Sequence, residues 1–210
     1  MAIGATVRRA FGRHERKVSE LWRAIFLDLD AWIAAVREWA PGATRILELG
    51  CGEGYSTERL AAAFPEARID AVDIADNIGR LYQGPRQNVQ FRRIYAEELA
   101  AQQPGSYDLI ILADVIHHVP TAARQSLLEA VRTLLAPGGT LLFKDWARNR
   151  APIYYLGYAS DRWLTGDRIE YLTPNEAEDM LHAAFGPECV VSEKRIRPWK
   201  NNYAFLVKAA

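Results

Sequence analysis

Ile46-Leu47-Glu48-Leu49-Gly50-Cys51-Gly52-Glu53-Gly54 runs an apolar stretch straight into an acidic residue and three glycines at alternate positions. Four apolar-rich residues followed by glycines read as a buried strand and the turn that leaves it. Glycine can take positive φ and carries no Cβ, so the backbone turns sharply here and lies directly against a ligand. A dinucleotide fingerprint spaces its glycines G-x-G-x-x-G and offers a helix N-terminus to a pyrophosphate. The spacing here is E-x-G-x-G-x-G, which fits a nucleotide ligand without phosphates.

Working outward, Trp22, Ile25, Phe26, Leu29, Ile33, Val36 and Trp39 recur at steps of three and four, the mark of an amphipathic helix. The pattern predicts one helix over about 15 to 39, stopped by Pro41-Gly42, that covers the sheet and offers Trp22 to a substrate lid. From Arg45 onward short apolar runs alternate with helical patterns, which predicts a parallel sheet with crossover helices. Strands are expected near 45–49, 68–72, 89–94, 108–112 and 140–144, with helices near 56–63, 75–82 and 121–135. The last of these helices stops at Ala136-Pro137-Gly138-Gly139. An irregular, aromatic-rich stretch follows, holding Tyr154, Tyr155, Tyr158, Trp163 and Tyr171. Thr173 caps a helix over 174–185. Two final apolar runs, 189–194 and 203–207, form an antiparallel hairpin at the sheet edge.

The expected fold is therefore α/β: a Rossmann-like, doubly wound sheet of seven mostly parallel strands, with an antiparallel C-terminal edge hairpin and N-terminal helices. One domain spans 1–210, with a helical cap (1–42), a ligand-binding core (43–146) and a substrate-side segment with the hairpin (147–210). Of the 210 residues half are hydrophobic, and 26 basic residues balance 26 acidic ones. That balance gives no global attraction to nucleic acid or anionic lipid. Cys51 and Cys189 have no metal-site spacing, and a reducing cytoplasm is the simplest home. No apolar run reaches the roughly 18 to 20 residues of a membrane span, and no signal-peptide pattern follows the N-terminal arginines.

In an open parallel sheet, ligands meet the residues just past the carboxyl ends of the strands. After the second strand stands Asp73, whose carboxylate can accept from both hydroxyls of a ribose; a helix cap is its competing role. After the third comes Tyr95-Ala96-Glu97-Glu98, and after the fourth Ala113-Asp114-Val115-Ile116-His117-His118-Val119-Pro120. The fifth ends in Lys144-Asp145-Trp146. The ordered series LELGCGEG, AVDI, YAEEL, YDLIILADVIHHVP and LLAPGGTLLFKD resembles the class I S-adenosylmethionine-dependent methyltransferases over residues 45–146.

That resemblance implies that Glu48, Gly50, Cys51 and Gly52 pack on the methionine and ribose portions of S-adenosylmethionine. It assigns Asp73 to the ribose hydroxyls, Ile74 to the adenine, and Ala113, with Asp114 beside it, to the methionine end. Tyr95 replaces the acidic residue many members place against the adenine amino group, so Ala96 or Glu97 must supply that contact.

The sulfonium is already activated, so in-line attack needs alignment and, for a hydroxyl acceptor, a base. His118, and after it His117, are the candidates, having an unperturbed pKa near 6.5. A histidine pair before Val-Pro also recurs in carbon methyltransferases without a catalytic duty. Asp114 and Asp145 resemble the carboxylate pair of magnesium-dependent catechol O-methyltransferases, though Trp146 stands where those enzymes carry asparagine. No metal is the preferred reading.

The acceptor pocket draws on Trp22, Trp146, Tyr154, Tyr158 and Asn201, an aromatic set suited to a planar or lipophilic small molecule. Arg162, Arg168, Arg197 and Lys200 are candidates for holding an acidic group, or are solvated surface. The expected function is methyl transfer to a small aromatic or hydrophobic metabolite, preferably at oxygen, yielding S-adenosylhomocysteine. No Asn/Asp-Pro-Pro-aromatic motif or basic domain points to a macromolecular substrate. A homodimer is left open. A scaffold that kept the fold but lost transfer is the second reading, and a nicotinamide dehydrogenase, which the glycine spacing opposes, the third.

Overall fold

The computed structural model describes residues 15–160, 162 and 169–208. Trp163 and Arg168 lie outside the described residues. The elements are α1 (Glu15–Phe26), α2 (Leu29–Trp39), β1 (Arg45–Leu49), α3 (Tyr55–Ala63), β2 (Arg68–Asp73), β3 (Val89–Arg93), α4 (Ala96–Gln102) and β4 (Tyr107–Ala113). After a short 3-10 turn (Ile116–His118) come α5 (Thr121–Leu134), β5 (Leu135–Trp146), α6 (Pro152–Ser160), α7 (Pro174–Phe185), β6 (Val190–Ile196) and β7 (Asn202–Lys208).

The seven strands form one sheet in the order β3-β2-β1-β4-β5-β7-β6. The first five run parallel, and β7 pairs antiparallel with both β5 and β6. The order reverses between β1 and β4, which places a crevice at their carboxyl ends. β1 and β4 are buried on both faces, which is why they read as almost unbroken apolar runs. Leu47, Leu49, Ile110, Leu112, Phe143 and Phe205 pack on one face with Leu99, Leu128, Val131 and Leu181 from the helices. Ile46, Ile69, Leu109, Ile111 and Leu142 pack on the other with Trp32, Val36 and Leu60.

The predicted strands, the helix after the glycine loop and the edge hairpin are all present. Thr173 caps α7 in a reciprocal capping box with Glu176, and Pro174 follows in the first turn, where its missing N–H costs nothing.

Five expectations need correction. The single helix over 15–39 is two, broken at Leu27-Asp28. Asp28 accepts from Ala31 N at 2.9 Å and caps α2, its own N–H donates to Arg197 O, and Arg197 pairs with its carboxylate at 2.7 Å. Asn202 and Trp199 donate side-chain N–H groups to the carbonyls of Phe26 and Ile25, so the β6–β7 loop takes the carbonyls a continuous helix would have used. The segment 75–82 is a run of turns, not a helix. Gly79 has φ 63° and lies against the Phe91 ring, and the Gly79 and Leu81 N–H groups donate to Gly52 O and Glu53 O instead of to carbonyls one turn back. α4, seven residues long and too short to show a period, was not expected, and α6 occupies the stretch read as irregular. β5 exceeds 140–144 at both ends: Leu135 already pairs with Tyr107 of β4 before a register shift, and pairing with β7 carries the strand to Trp146.

Candidate active site

The glycine loop leaves β1 with Gly50 N and Cys51 N both donating to Val72 O, at 2.8 and 3.1 Å. Gly50, Gly52 and Gly54 have φ of 77°, 50° and 89°. At Gly50 a Cβ would sit 2.2 Å from Val115 Cγ2, so glycine is required by close packing against the chain leaving β4. At Gly52 a Cβ would meet nothing within 4 Å. That position is held by backbone conformation, and its Cβ side is open. Beneath the loop, buried Glu48 accepts from the Ser56 hydroxyl and, at 2.5 Å, from that of Thr57. Burial pushes its carboxyl pKa up, against the pull of the two hydroxyls. Glu48 thus joins the loop to the first turn of α3. Burial likewise drives the Cys51 thiol far above its usual range, leaving it without nucleophilic character.

Asp73 ends β2 and uses both oxygens on backbone: Oδ2 accepts from Gly52 N at 2.7 Å and Oδ1 from Ala75 N at 2.9 Å. The helix cap weighed from sequence is a turn cap instead, since no helix follows at 75–82, and the same carboxylate also clasps the glycine loop. Each carboxylate oxygen has a second lone pair, so both remain able to accept from a diol. Beside it Ile74 is 56% exposed and Tyr95 62% exposed, two large apolar surfaces flanking the strand ends. Ala96 is buried in the first turn of α4, and the Glu97 carboxylate accepts from Ser126 at 3.2 Å.

Past β4 the chain makes a tight reversal. Asp114 holds φ 57°, a left-handed conformation tolerated by aspartate more than by most residues. Its N–H donates to Lys144 O at 2.9 Å, and its carboxylate takes the buried Lys144 ammonium at 2.6 and 2.7 Å. Three residues on, His117 Nδ1 lies 2.5 Å from Asp145 Oδ1, with both side chains buried. That oxygen also accepts from Trp146 N at 2.7 Å. His117 is sandwiched between the rings of His118 and Tyr171, 4.2 and 4.6 Å away centre to centre. His118 itself is exposed.

Lys144 and Asp145 are successive residues of a strand, so they point to opposite faces of the sheet. Asp114 belongs to the Lys144 side and Asp145 to the His117 side. The two carboxylates read as a magnesium pair therefore do not converge, each holding its own cation or imidazole. Among the described residues no three His, Cys, Asp or Glu side chains gather as a metal site.

The 169–172 segment forms the wall over His117. Glu170 N donates to His117 O at 2.9 Å, and the buried Arg124 guanidinium donates to Glu170 O and Val119 O, both at 3.0 Å. Of the expected acceptor-side residues, Tyr154 and Tyr158 join an aromatic run with Tyr155 and Tyr171 that ends on His117. Trp22 and Trp146 meet on the other side, bridged edge-on by Phe26. Trp146 is buried against Gly157 of α6. Asn201 is also buried, with its amide and carbonyl both tied to Ala147, so it braces the end of β5. Arg162 is exposed, and Arg197 and Lys200 lie near Asp28 and Trp199.

Sequence reasoning missed Asp145 as the partner of His117, Lys144 as the partner of Asp114, and Arg124. The available signal was that polar residues break both apolar runs at the same height: Asp114 just past Ala113, and Lys144-Asp145 in β5, with Ala113 opposite Lys144.

Residues 47–141 match the protein family described as Methyltransferase domain. The chain is 37% identical over 149 residues to the ubiquinone biosynthesis O-methyltransferase of Acinetobacter baumannii (strain ACICU), covering 66% of this chain and 62% of that protein. It is 31% identical over 179 residues to that of Xanthomonas campestris pv. campestris (strain B100), covering 80% of this chain and 72% of the relative. The chain thus spans a little under two thirds of the length of the first of these. In fold it is similar to Burkholderia thailandensis 1,6-didemethyltoxoflavin-N1-methyltransferase, solved with S-adenosylhomocysteine (TM-score 0.68, 18% identity, 98% of this chain and 88% of that one). It is also similar to human N-acetylserotonin methyltransferase in complex with SAM (TM-score 0.69, 19% identity, 92% and 54%). The sheet order, the glycine loop over β1 and these relationships lead to one assignment: the chain belongs to the class I S-adenosylmethionine-dependent methyltransferases.

Proposed function

We propose that this chain binds S-adenosylmethionine and transfers its methyl group to a hydroxyl of a small aromatic or hydrophobic metabolite, with His117 as the base and Asp145 as its orienting carboxylate. The observation that carries the reading is the buried His117–Asp145 pair at the carboxyl ends of β4 and β5. A base needs one ring nitrogen fixed as N–H so that the other can take a proton. With Nδ1–H directed at Asp145, the basic atom of the neutral ring is Nε2. This arrangement moves the role from His118, preferred from sequence, to His117, because the carboxylate sets the tautomer of His117.

The residues present fit the cofactor. The open face of Gly52 admits close main-chain approach, Asp73 retains lone pairs for a diol, and Ile74 offers an apolar surface to a purine. On this reading Glu48, Gly50, Cys51 and Gly52 wall the methionine and ribose portions, Ala96 and Glu97 border the adenine, and Ala113 and Asp114 border the methionine end. When bound, S-adenosylmethionine supplies a methyl group already activated on a sulfonium. The chain's own tasks are to align the acceptor, exclude water and take one proton at His117. On this reading α1, α6 and the 169–172 segment close the acceptor side, where the edge-on Tyr154–Tyr171 and Trp22–Phe26–Trp146 contacts supply apolar walls.

Relatives named as O-methyltransferases support oxygen as the acceptor atom. No described helix is long and apolar enough to cross a membrane. With balanced charge and no metal-spaced cysteines, a cytoplasmic small-molecule enzyme is the reading these features support.

Calorimetry with S-adenosylhomocysteine, followed by methyl-labelled S-adenosylmethionine and a panel of phenols, amines and quinones, tests it. Binding together with label on a phenolic oxygen is the expected result. Tight binding with no label on any acceptor would favour a scaffold, and stabilisation by a nicotinamide cofactor alone would remove the assignment.

A further inference from the structure

His117 and Asp145 do not exhaust the polar atoms buried at this strand end. Asp145 Oδ1 accepts from both His117 Nδ1 and Trp146 N. Its Oδ2 is buried and has no hydrogen-bond partner among the described residues. Directly opposite on β7, Tyr203 is the cross-strand partner of Asp145. Its hydroxyl is also buried and also lacks a hydrogen-bond partner among the described residues. Facing positions of an antiparallel pair put side chains on one face of the sheet with Cβ atoms about 5 Å apart. A carboxylate oxygen lacking a donor and a phenol lacking an acceptor thus share one dry face, and two such groups left unmatched are rare in folded proteins.

Tyr203 is fully buried, and its ring is held between Phe143 and Phe205 at 6.2 and 5.4 Å. Burial first, then the negative charge of Asp145, push its phenol pKa well up, so the group is an O–H donor at every working pH.

We propose that Tyr203 is a positioning residue for the catalytic pair: a small movement of its ring from the position in this structure, where neither atom is bonded, lets its hydroxyl donate to Asp145 Oδ2, which leaves Oδ1 aimed at His117 and sets the pH at which His117 takes a proton. This rests on the His117–Asp145 reading above. No covalent change occurs at Tyr203. The acceptor's proton passes to His117, the acceptor oxygen bonds the methyl carbon, and the carbon–sulfur pair leaves with sulfur. A donor on Oδ2 disperses the carboxylate's charge and so weakens its hold on a protonated imidazole. Removing that donor makes the protonated pair relatively more favourable, and the His117 midpoint rises.

The other groups packed around the pair are His118 on the same turn, Glu170 and Tyr171 above it, Arg124 from α5 and Arg195 beside the Tyr203 ring. Asp114, held by Lys144, lies farther along the same strand ends. Tyr203→Phe changes none of these and keeps the ring.

The test is acceptor-independent. In the full-length, carbon-13-labelled protein the His117 Cε1–H signal, assigned by its loss in His117→Gln, is titrated in wild type and in Tyr203→Phe. The expected result is a midpoint higher by about 1 pH unit, the scale of one hydrogen bond to a charged group. An unmoved or lowered midpoint in folded Tyr203→Phe would overturn the proposal and reduce Tyr203 to packing. Tyr203→Leu, which also lacks the hydroxyl, is expected to move the midpoint the same way. Should neither variant fold, the wild-type protein decides. A Tyr203 hydroxyl proton protected from exchange supports the bond to Asp145, and a freely exchanging one excludes it. Failure of the catalytic reading looks different: His117→Gln would then keep wild-type turnover, whatever Tyr203 does to the titration.

Discussion

At the scale of single residues, the glycine loop separates two kinds of requirement. Gly50 cannot carry a Cβ, because Val115 occupies the place, whereas Gly52 has open space but a left-handed backbone. Gly52→Ala is therefore expected to cost only about 1–2 kcal/mol of stability, the strain of one left-handed L-residue, yet to weaken S-adenosylhomocysteine binding at least tenfold by filling the ligand's approach. Gly50→Val is expected to lose both fold stability and binding, and denaturant unfolding beside calorimetry distinguishes the two. The Asp114–Lys144 pair gives an asymmetric prediction. Asp114→Ala strands a buried ammonium and should cost about 3–5 kcal/mol, while Lys144→Met leaves only a half-exposed carboxylate and should cost clearly less. Equal losses in denaturant melts would mean that the pair does not carry that energy. The loop and Asp73 were legible because their signal lies in short spacing along the chain. The His117–Asp145 and Asp114–Lys144 pairs were not, since each joins residues about thirty positions apart and appears only once β4 and β5 are set side by side.

At the scale of elements, local pattern succeeded where local bonds decide and failed where distant ones do. α7 was read to within its cap because Thr173, Pro174 and Glu176 act within one turn. Thr173→Ala should cost about 1 kcal/mol in thermal unfolding. The 75–82 segment has helical composition, but its Gly79 and Leu81 N–H groups are taken by the carbonyls of Gly52 and Glu53, so it serves as a clasp on the glycine loop. α1 docks by polar contacts: Arg16 pairs with Glu58 of α3 at 2.6 Å and donates to Leu81 O, and Tyr55 donates to Arg16 O. Burial would raise the Glu58 carboxyl, yet Arg16 and the Gln83 N–H together bring it below its usual value. A carboxylate with a depressed folded-state pKa stabilises above its unfolded value and loses that contribution as pH falls through the folded one. α1 should thus hold fast at neutral pH and loosen in acid, below about pH 4.5, seen as lower hydrogen-exchange protection over residues 15–26 once the intrinsic pH dependence of exchange is removed. Protection in α1 that does not change with acid would show that this pair does not anchor it.

At the scale of the whole molecule, the sheet order and its reversal between β1 and β4 bring five strand ends, scattered over a hundred residues, into one crevice. Alternating apolar runs and helical patterns made that architecture readable, because a parallel sheet imposes both. What sequence could not supply was the division of labour across β5, where the face holding Lys144 steadies the reversal after β4 and the face holding Asp145 orients His117. On the proposed reading the acceptor would be chosen by the aromatic walls of α6 and the 169–172 segment, where no spacing rule applies. The central claim is that methyl transfer by this chain relies on His117 as its base. The measurement is turnover of His117→Gln against wild type with methyl-labelled S-adenosylmethionine and whichever phenol of the panel the wild type methylates, alongside S-adenosylhomocysteine affinity for both. The account predicts unchanged affinity and a turnover at least ~100-fold lower, the usual scale of a lost general base. Wild-type turnover in His117→Gln would contradict it.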